Sequence, residues 1–156
     1  MALLNTERQV VVRPALRIDL AAVEALDTAV YGAGAYGPWV LRQLLDLHAS
    51  SFFVAELDGR IVAYVVGGVG DDGVAWLLSL ATAADARGRG VARLLTARWL
   101  EHWSGGNARC ARLTVAPGNT IARRLYEQHG FVQVADEPDY FGPGERRVVL
   151  EHSLGR

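Results

Sequence analysis

The 156-residue chain has the size of about one domain, with 51% hydrophobic and 21% charged residues, a balance that fits a packed core and excludes intrinsic disorder. A formal net charge of -1, with every basic residue an arginine, leaves no global field to gather nucleic acid or an anionic membrane. Cys110 is the only cysteine, so no internal disulfide forms, and the lack of a basic-then-apolar leader or of any apolar run near ~18 residues predicts a cytoplasmic chain without a membrane span.

In chain order, a β-branched run predicts a strand over 10–13, ended by Pro14. Asp19 is placed to cap a helix over 20–30, with Leu20, Val23, Leu26 and Val30 on one face. The glycines of 31–37 interrupt that helix. Pro38 suits the first turn of a second one, whose face carries Leu41, Leu44, Leu45 and His48. Residues 52–57 and 61–66 are apolar strands around Asp58-Gly59, a hairpin signal. Asp71-Asp72-Gly73 turns the chain into a third strand over 74–82. A helix over 90–103 presents Val91, Leu94, Leu95 and Trp99. A strand over 111–115 follows, then a helix over 119–128 closed by Gly130, then strands over 131–135 and 147–152. The order β-α-α-β-β-β-α-β-α-β-β begins in antiparallel hairpins and continues in β-α-β crossovers. The expected fold class is therefore α/β (α+β), a mixed and mostly antiparallel sheet flanked by helices, in a single domain spanning 1–156.

The sharpest local feature is Arg87-Gly88-Arg89-Gly90-Val91-Ala92, lying between a strand and a helix. Glycines let the backbone bend tightly and bring N–H groups close to a ligand. A helix start adds unpaired donors and the positive end of the helix dipole. Two arginines add charge and forked donors. Together these fit a pyrophosphate; taken alone, the segment also reads as a solvated turn. In this segment the Gly-Lys-Ser/Thr ending of a P-loop is absent, as is a Gly-x-Gly-x-x-Gly pattern with an acidic residue about 20 residues on.

In context the residues resemble the GNAT superfamily of N-acetyltransferases. Arg87-x-x-Gly90-x-Ala92 is similar to its Arg/Gln-x-x-Gly-x-Gly/Ala signature, and Leu113 to Asn119, Ala122 and Leu125 to Phe131 are similar to its strand–Asn–helix–Tyr–Gly-Phe segment. Val12 to Ala15 with Asp19-Leu20 resembles the family's opening strand and helix. The resemblance implies acetyl-CoA as co-substrate, with Arg87, Gly88, Arg89, Gly90, Val91 and Ala92 around its pyrophosphate. It further implies backbone bonds from Leu80 and Thr82 to the pantetheine arm, a cofactor contact at Asn119, and Tyr126 beside the sulfur.

Within the family, Pro38-Trp39, Asn119 to Phe131, Tyr140-Phe141 and Gly144-Glu145 resemble ribosomal-protein alanine N-acetyltransferases. Those enzymes carry Glu where this chain has Thr114 and Arg where it has Ala116. The departures leave the general base and the acceptor open. Amide formation needs a neutral amine, an oxyanion donor and a proton for the leaving thiolate. Tyr126 is the expected proton donor, core packing being the other reading of that residue. An α-amine of pKa near 7.8 is about 30% neutral at pH 7.4 and a lysine amine only ~0.1%, a gap of about 3.4 kcal/mol. With no carboxylate at 114, the expectation leans to an α-amine or another weakly basic amine. Tyr31, Tyr36, Trp39, Tyr140 and Glu145 lie in glycine-rich connections suited to acceptor binding, with packing as the alternative for the aromatics.

Cys110 and the other tryptophans read as structural, and the four histidines lack metal-ligand spacing, so no metal is expected. The expected partner is the amine acceptor, a peptide N-terminus or a small molecule, with no nucleic acid or membrane; the resemblance is compatible with a homodimer. The competing function is a CoA-binding regulator without turnover.

Overall fold

The computed structural model describes residues 9–155. It contains β1 (Val10–Pro14), α1 (Leu20–Tyr31), α2 (Gly37–His48), β2 (Phe52–Leu57), β3 (Arg60–Val69), β4 (Val74–Thr82), α3 (Val91–Ser104), β5 (Cys110–Val115), α4 (Thr120–Gln128), β6 (Val132–Glu137) and β7 (Arg147–Ser153). The strands form one seven-stranded sheet in the order β1-β2-β3-β4-β5-β7-β6. Every neighbouring pair is antiparallel except β4 with β5, the expected mixed sheet.

Strand period sets the two cores. Phe52, Val54, Tyr64 and Val66 point to the face covered by Val23, Leu26, Leu41 and Leu45 of α1 and α2. Phe53, Ala55, Ala63 and Val65 point to the other face, against Leu95, Trp99 and Trp103 of α3 and Tyr126 of α4. Because both faces are covered, β2 and β3 read as continuous apolar runs rather than alternating ones.

Several boundaries differ from the sequence reading. β3 runs on through Gly67 and Gly68 to Val69. A Cβ at Gly67 would lie 2.2 Å from the Trp76 carbonyl oxygen and 2.5 Å from the Trp99 ring, and one at Gly68 would lie 2.2 Å from the His48 ring. These glycines admit close neighbours instead of making a turn. Asp19 does not bond the first turn of α1 through its side chain. Its carboxylate instead accepts from the Leu16 N–H at 2.7 Å and from the Arg13 guanidinium at 2.7 and 2.8 Å. Arg13 also reaches Glu56 on β2, tying the start of α1 to the sheet. Leu94 is 47% exposed, and Trp103 joins Val91, Leu95 and Trp99 on the buried face of α3. Phe131 enters the core just ahead of β6.

The position of the site follows from β4. Val66 faces Ser79 but Gly67 faces Leu77, so Leu78 is an extra residue in β4. Such a bulge bends and twists its strand. β5 pairs with β4 only at Val74, Ala75 and Trp76, whereas it stays with β7 from Cys110 to Val115. Past Trp76 the two central strands part, and the sheet opens into a wedge.

Candidate active site

The edge of β4 inside the wedge carries unused backbone groups. The Ala83 N–H donates to the Val62 carbonyl at 2.8 Å. Strand alternation therefore turns the N–H and C=O of Leu80 and Thr82 to the opposite edge, away from β3. Tyr31, at the end of α1, donates its hydroxyl to the Leu80 carbonyl, and Tyr36 donates to the Leu78 carbonyl at 3.1 Å. The Leu80 carbonyl is thus engaged within the chain, while the backbone N–H groups of Leu80 and Thr82 face the wedge. Thr82 Oγ1 is buried and meets no hydrogen-bond partner among the described residues.

At the end of β4 the chain reaches the glycine bend. Gly88 and Gly90 have φ of 78° and 75°, left-handed values that glycine adopts readily. Gly90 flanks α3, and the first N–H to return to it is that of Leu94, at 3.1 Å. The N–H groups of residues 88–93 meet no acceptor among the described residues. Arg87 and Arg89 are exposed. The bend is accordingly open, as an anion cradle must be.

Tyr126 approaches from the other side of the sheet. It is 7% exposed and stands edge-on to Phe131, ring centroids 5.8 Å apart. Burial pushes its phenol well above the ordinary range, and the neighbouring Tyr31 adds to this. Tyr31 itself, with Tyr36, is raised chiefly by burial. Tyr31 and Tyr126 come from helices on opposite faces of the sheet. Each keeps its proton at neutral pH and acts there as a donor. Asn119 caps α4, its Oδ1 accepting from the Ala122 N–H at 3.2 Å.

The structure therefore brings Tyr31 and Tyr36 onto the β4 edge that carries Leu80 and Thr82, with the 87–92 bend at the end of the same strand, and sets the Tyr126 phenol where the charge of Tyr31 influences it. It does not link the remaining acceptor-side residues to them. Trp39 lies in the first turn of α2 and is 85% exposed. Tyr140 packs on Phe141 at 4.7 Å, and Glu145 pairs with Arg147 at 3.5 Å, both in the β6–β7 connection. Thr114 sits on β5 opposite Val149, so no carboxylate occupies that position. Cys110 is buried and its thiol is pushed up by burial, as a structural strand residue should be. No cluster of metal-ligating residues occurs among the described residues.

A buried polar chain lies behind the wedge. Asp27 is 1% exposed and Ser79 8%. The Tyr64 hydroxyl is 2.7 Å from Asp27 Oδ1 and 2.7 Å from Ser79 Oγ, and the Tyr36 N–H donates to Asp27 Oδ2 at 2.8 Å. The sequence reading passes over these three side chains. One signal was present: Asp27 falls on the Val23–Leu26–Val30 stripe of α1, where an acidic residue must be hydrogen-bonded to be tolerated.

The family model for the acetyltransferase (GNAT) family matches residues 20–131. A curated relative from Methanocaldococcus jannaschii, an uncharacterized N-acetyltransferase, is 31% identical over 134 residues, covering 85% of this chain and 84% of that one. Two solved structures share the fold. The ribosomal-protein-alanine N-acetyltransferase from Brucella melitensis superposes with a TM-score of 0.80 at 23% identity, covering 92% of this chain and 99% of that one. Arabidopsis thaliana Naa50, in complex with a bisubstrate analogue of CoA and a peptide, does so with a TM-score of 0.80 at 19% identity, covering 92% and 98%. The chain belongs to the GNAT family and is an acyltransferase.

Proposed function

We propose that this chain transfers the acetyl group of acetyl-CoA to a primary amine by direct attack in a ternary complex. One observation carries the reading: the unpartnered N–H groups of 88–93 follow the outward-facing N–H groups of Leu80 and Thr82 along the same strand, on the edge that β5 leaves open. The pyrophosphate fits the bend, where bare donors and a helix dipole favour an anion. The pantetheine arm fits the wedge as an added strand, taking the N–H groups of Leu80 and Thr82. The orphaned Thr82 Oγ1 is a further polar group open to that arm or to water. In this reading Asn119, besides capping α4, contacts the cofactor.

The amine nitrogen attacks the thioester carbon, forming the C–N bond. Collapse of the oxyanion breaks the C–S bond, and Tyr126 supplies a proton to the departing sulfur. Burial keeps its phenol protonated at neutral pH, so it enters the reaction as a hydrogen donor and not as a base. Tyr31 and Tyr36 border the acceptor's approach; Trp39, Tyr140 and Glu145 lie on the outer loops where a larger acceptor would extend. The peptide in the Naa50 complex supports a peptide N-terminus as acceptor, and a small-molecule amine is the alternative. The whole chain acts as one transferase domain in a reducing, cytoplasmic setting, in keeping with its single buried thiol.

Release of CoA thiol over a panel of N-terminal peptides, lysine peptides and small amines tests the proposal. Turnover with an α-amine above that with lysine side chains is expected. Saturable CoA binding with no turnover on any amine would instead identify a CoA-binding regulator.

A further inference from the structure

We infer that Asp27 is a positioning residue for the acceptor: it closes a ring of hydrogen bonds that clamps Tyr36 to the bulge of β4 and so fixes the acceptor's side of the wedge. The inference rests on the proposed function, which sets Tyr36 on the acceptor's approach.

The Tyr36 N–H donates to Asp27 Oδ2 at 2.8 Å, and the Tyr64 hydroxyl donates to Asp27 Oδ1 at 2.7 Å. That spends the Tyr64 hydrogen, so Ser79 is the donor in the 2.7 Å contact between the two hydroxyls. A peptide bond joins Ser79 to Leu78, the extra residue of the β4 bulge, and the Leu78 carbonyl accepts from the Tyr36 hydroxyl at 3.1 Å. The ring is closed. Tyr36 is held at its backbone and at the tip of its side chain, and both holds lead to the same point of β4. Asp27, Tyr64 and Ser79 are buried, so water does not compete for the inner bonds.

The connection between α1 and α2 depends on such a clamp. It is largely exposed, and a Cβ added at Gly32, Gly34 or Gly37 would meet nothing within 4 Å. A segment with so little packing is placed by its hydrogen bonds. The order of residues along the open edge of β4 shows what the clamp serves. Going away from the glycine bend, the outward residues are Thr82, Leu80 and Leu78. With the pyrophosphate at the bend and the arm on Thr82 and Leu80, the acyl end falls toward Leu78. Tyr36 stands at Leu78, where the amine must enter. Displacing Tyr36 therefore changes acceptor binding and leaves the anion cradle as it is.

The ring requires donors and acceptors in place and does not require a charge. Asp27→Asn can keep it closed with two hydrogens reversed: the amide oxygen accepts from the Tyr36 N–H, the amide nitrogen donates to the Tyr64 oxygen, and the Tyr64 hydrogen turns to Ser79. Asp27→Ala opens it. The Tyr64 hydroxyl then still has Ser79, while the Tyr36 N–H loses its partner in a connection that water reaches. Asp27 acts through Tyr36, which is the residue that meets the acceptor.

The test measures acceptor KM, kcat, CoA affinity and melting temperature for the wild type, Asp27→Ala and Asp27→Asn, with the amine of the panel that releases CoA thiol fastest. Asp27→Ala should raise KM by about 10-fold at nearly constant kcat, the pattern of a lost binding contact and not of lost chemistry. CoA affinity should stay within about twofold, and Asp27→Asn should bring KM back to within about threefold of the wild type. Amide exchange at Tyr36, measured without substrate, should quicken in Asp27→Ala and stay slow in Asp27→Asn. Ser79→Ala opens the same ring at β4 and should move KM in the same direction, which keeps the test sound should Asp27→Ala fail to fold. An unchanged KM in Asp27→Ala, a CoA affinity that falls along with it, or Asp27→Asn as impaired as Asp27→Ala would overturn the inference. If the wild type itself releases no thiol with any amine, the proposed function fails and the clamp's role falls with it. Unchanged variants beside an active wild type sink the clamp alone.

Discussion

The phenols of Tyr31 and Tyr126 show what individual side chains contribute. Tyr126 is positioned by packing: Phe131 fixes its ring edge-on, and burial keeps the proton on its oxygen. Tyr126→Phe should preserve that packing and lower kcat by about 10²-fold, with CoA affinity unchanged by calorimetry. Equal kcat for both proteins would remove the hydroxyl from the mechanism. Tyr126 was legible because its distance from Asn119 and from Gly130-Phe131 is a sequence pattern. Ser79 and Tyr64 were not, because they meet only when β3 and β4 pair in the shifted register that the Leu78 bulge imposes. No spacing along the chain reports a register shift. Asp19 stands at the expected N-cap position of α1, but Arg13, six residues earlier, supplies a guanidinium that holds the carboxylate away from the helix N–H groups. Trp39, Tyr140 and Glu145 were chosen by loop composition, which says nothing about which way a loop folds, and no hydrogen bond, ion pair or ring contact joins them to Tyr31 or Tyr126 among the described residues.

The eleven helices and strands were each legible from hydrophobic period and turn residues. Their ends were clear where a local signal dominated, as at Asp58-Gly59 between β2 and β3 or Gly90 before α3. They were obscured where tertiary contact decides. β3 is the clearest case, since Gly67 and Gly68 look like a stop in sequence and are strand residues pressed against Trp76, Trp99 and His48. Gly67→Ala should therefore destabilise the fold by about 2–3 kcal/mol through forced displacement of Trp99 and the β4 backbone. Gly118→Ala, where an added Cβ meets nothing within 4 Å, should leave the melting temperature within about 2 °C. Denaturant unfolding of the two variants decides the point, and equal stabilities would show that the strand tolerates a side chain at Gly67.

For the molecule as a whole, fold and site have one cause. A sheet covered on both faces cannot admit a ligand except where two neighbouring strands separate, and β4 and β5 do so just past Trp76. Tyr31 and Tyr36 bond the β4 edge along that opening, and the same strand leads to the glycine bend at the start of α3. The parallel β4–β5 crossover was readable from the β-α-β order; its early divergence was not. The account stands or falls on whether that bend holds a diphosphate, and calorimetry measures this directly by titrating CoA and pantetheine separately into the protein. The predicted result is saturable heat with CoA and an affinity at least 10-fold weaker for pantetheine, which lacks the pyrophosphate, in line with several charge-assisted bonds lost at ~1.5–3 kcal/mol each. No heat with CoA, or equal affinity for the two, would contradict it.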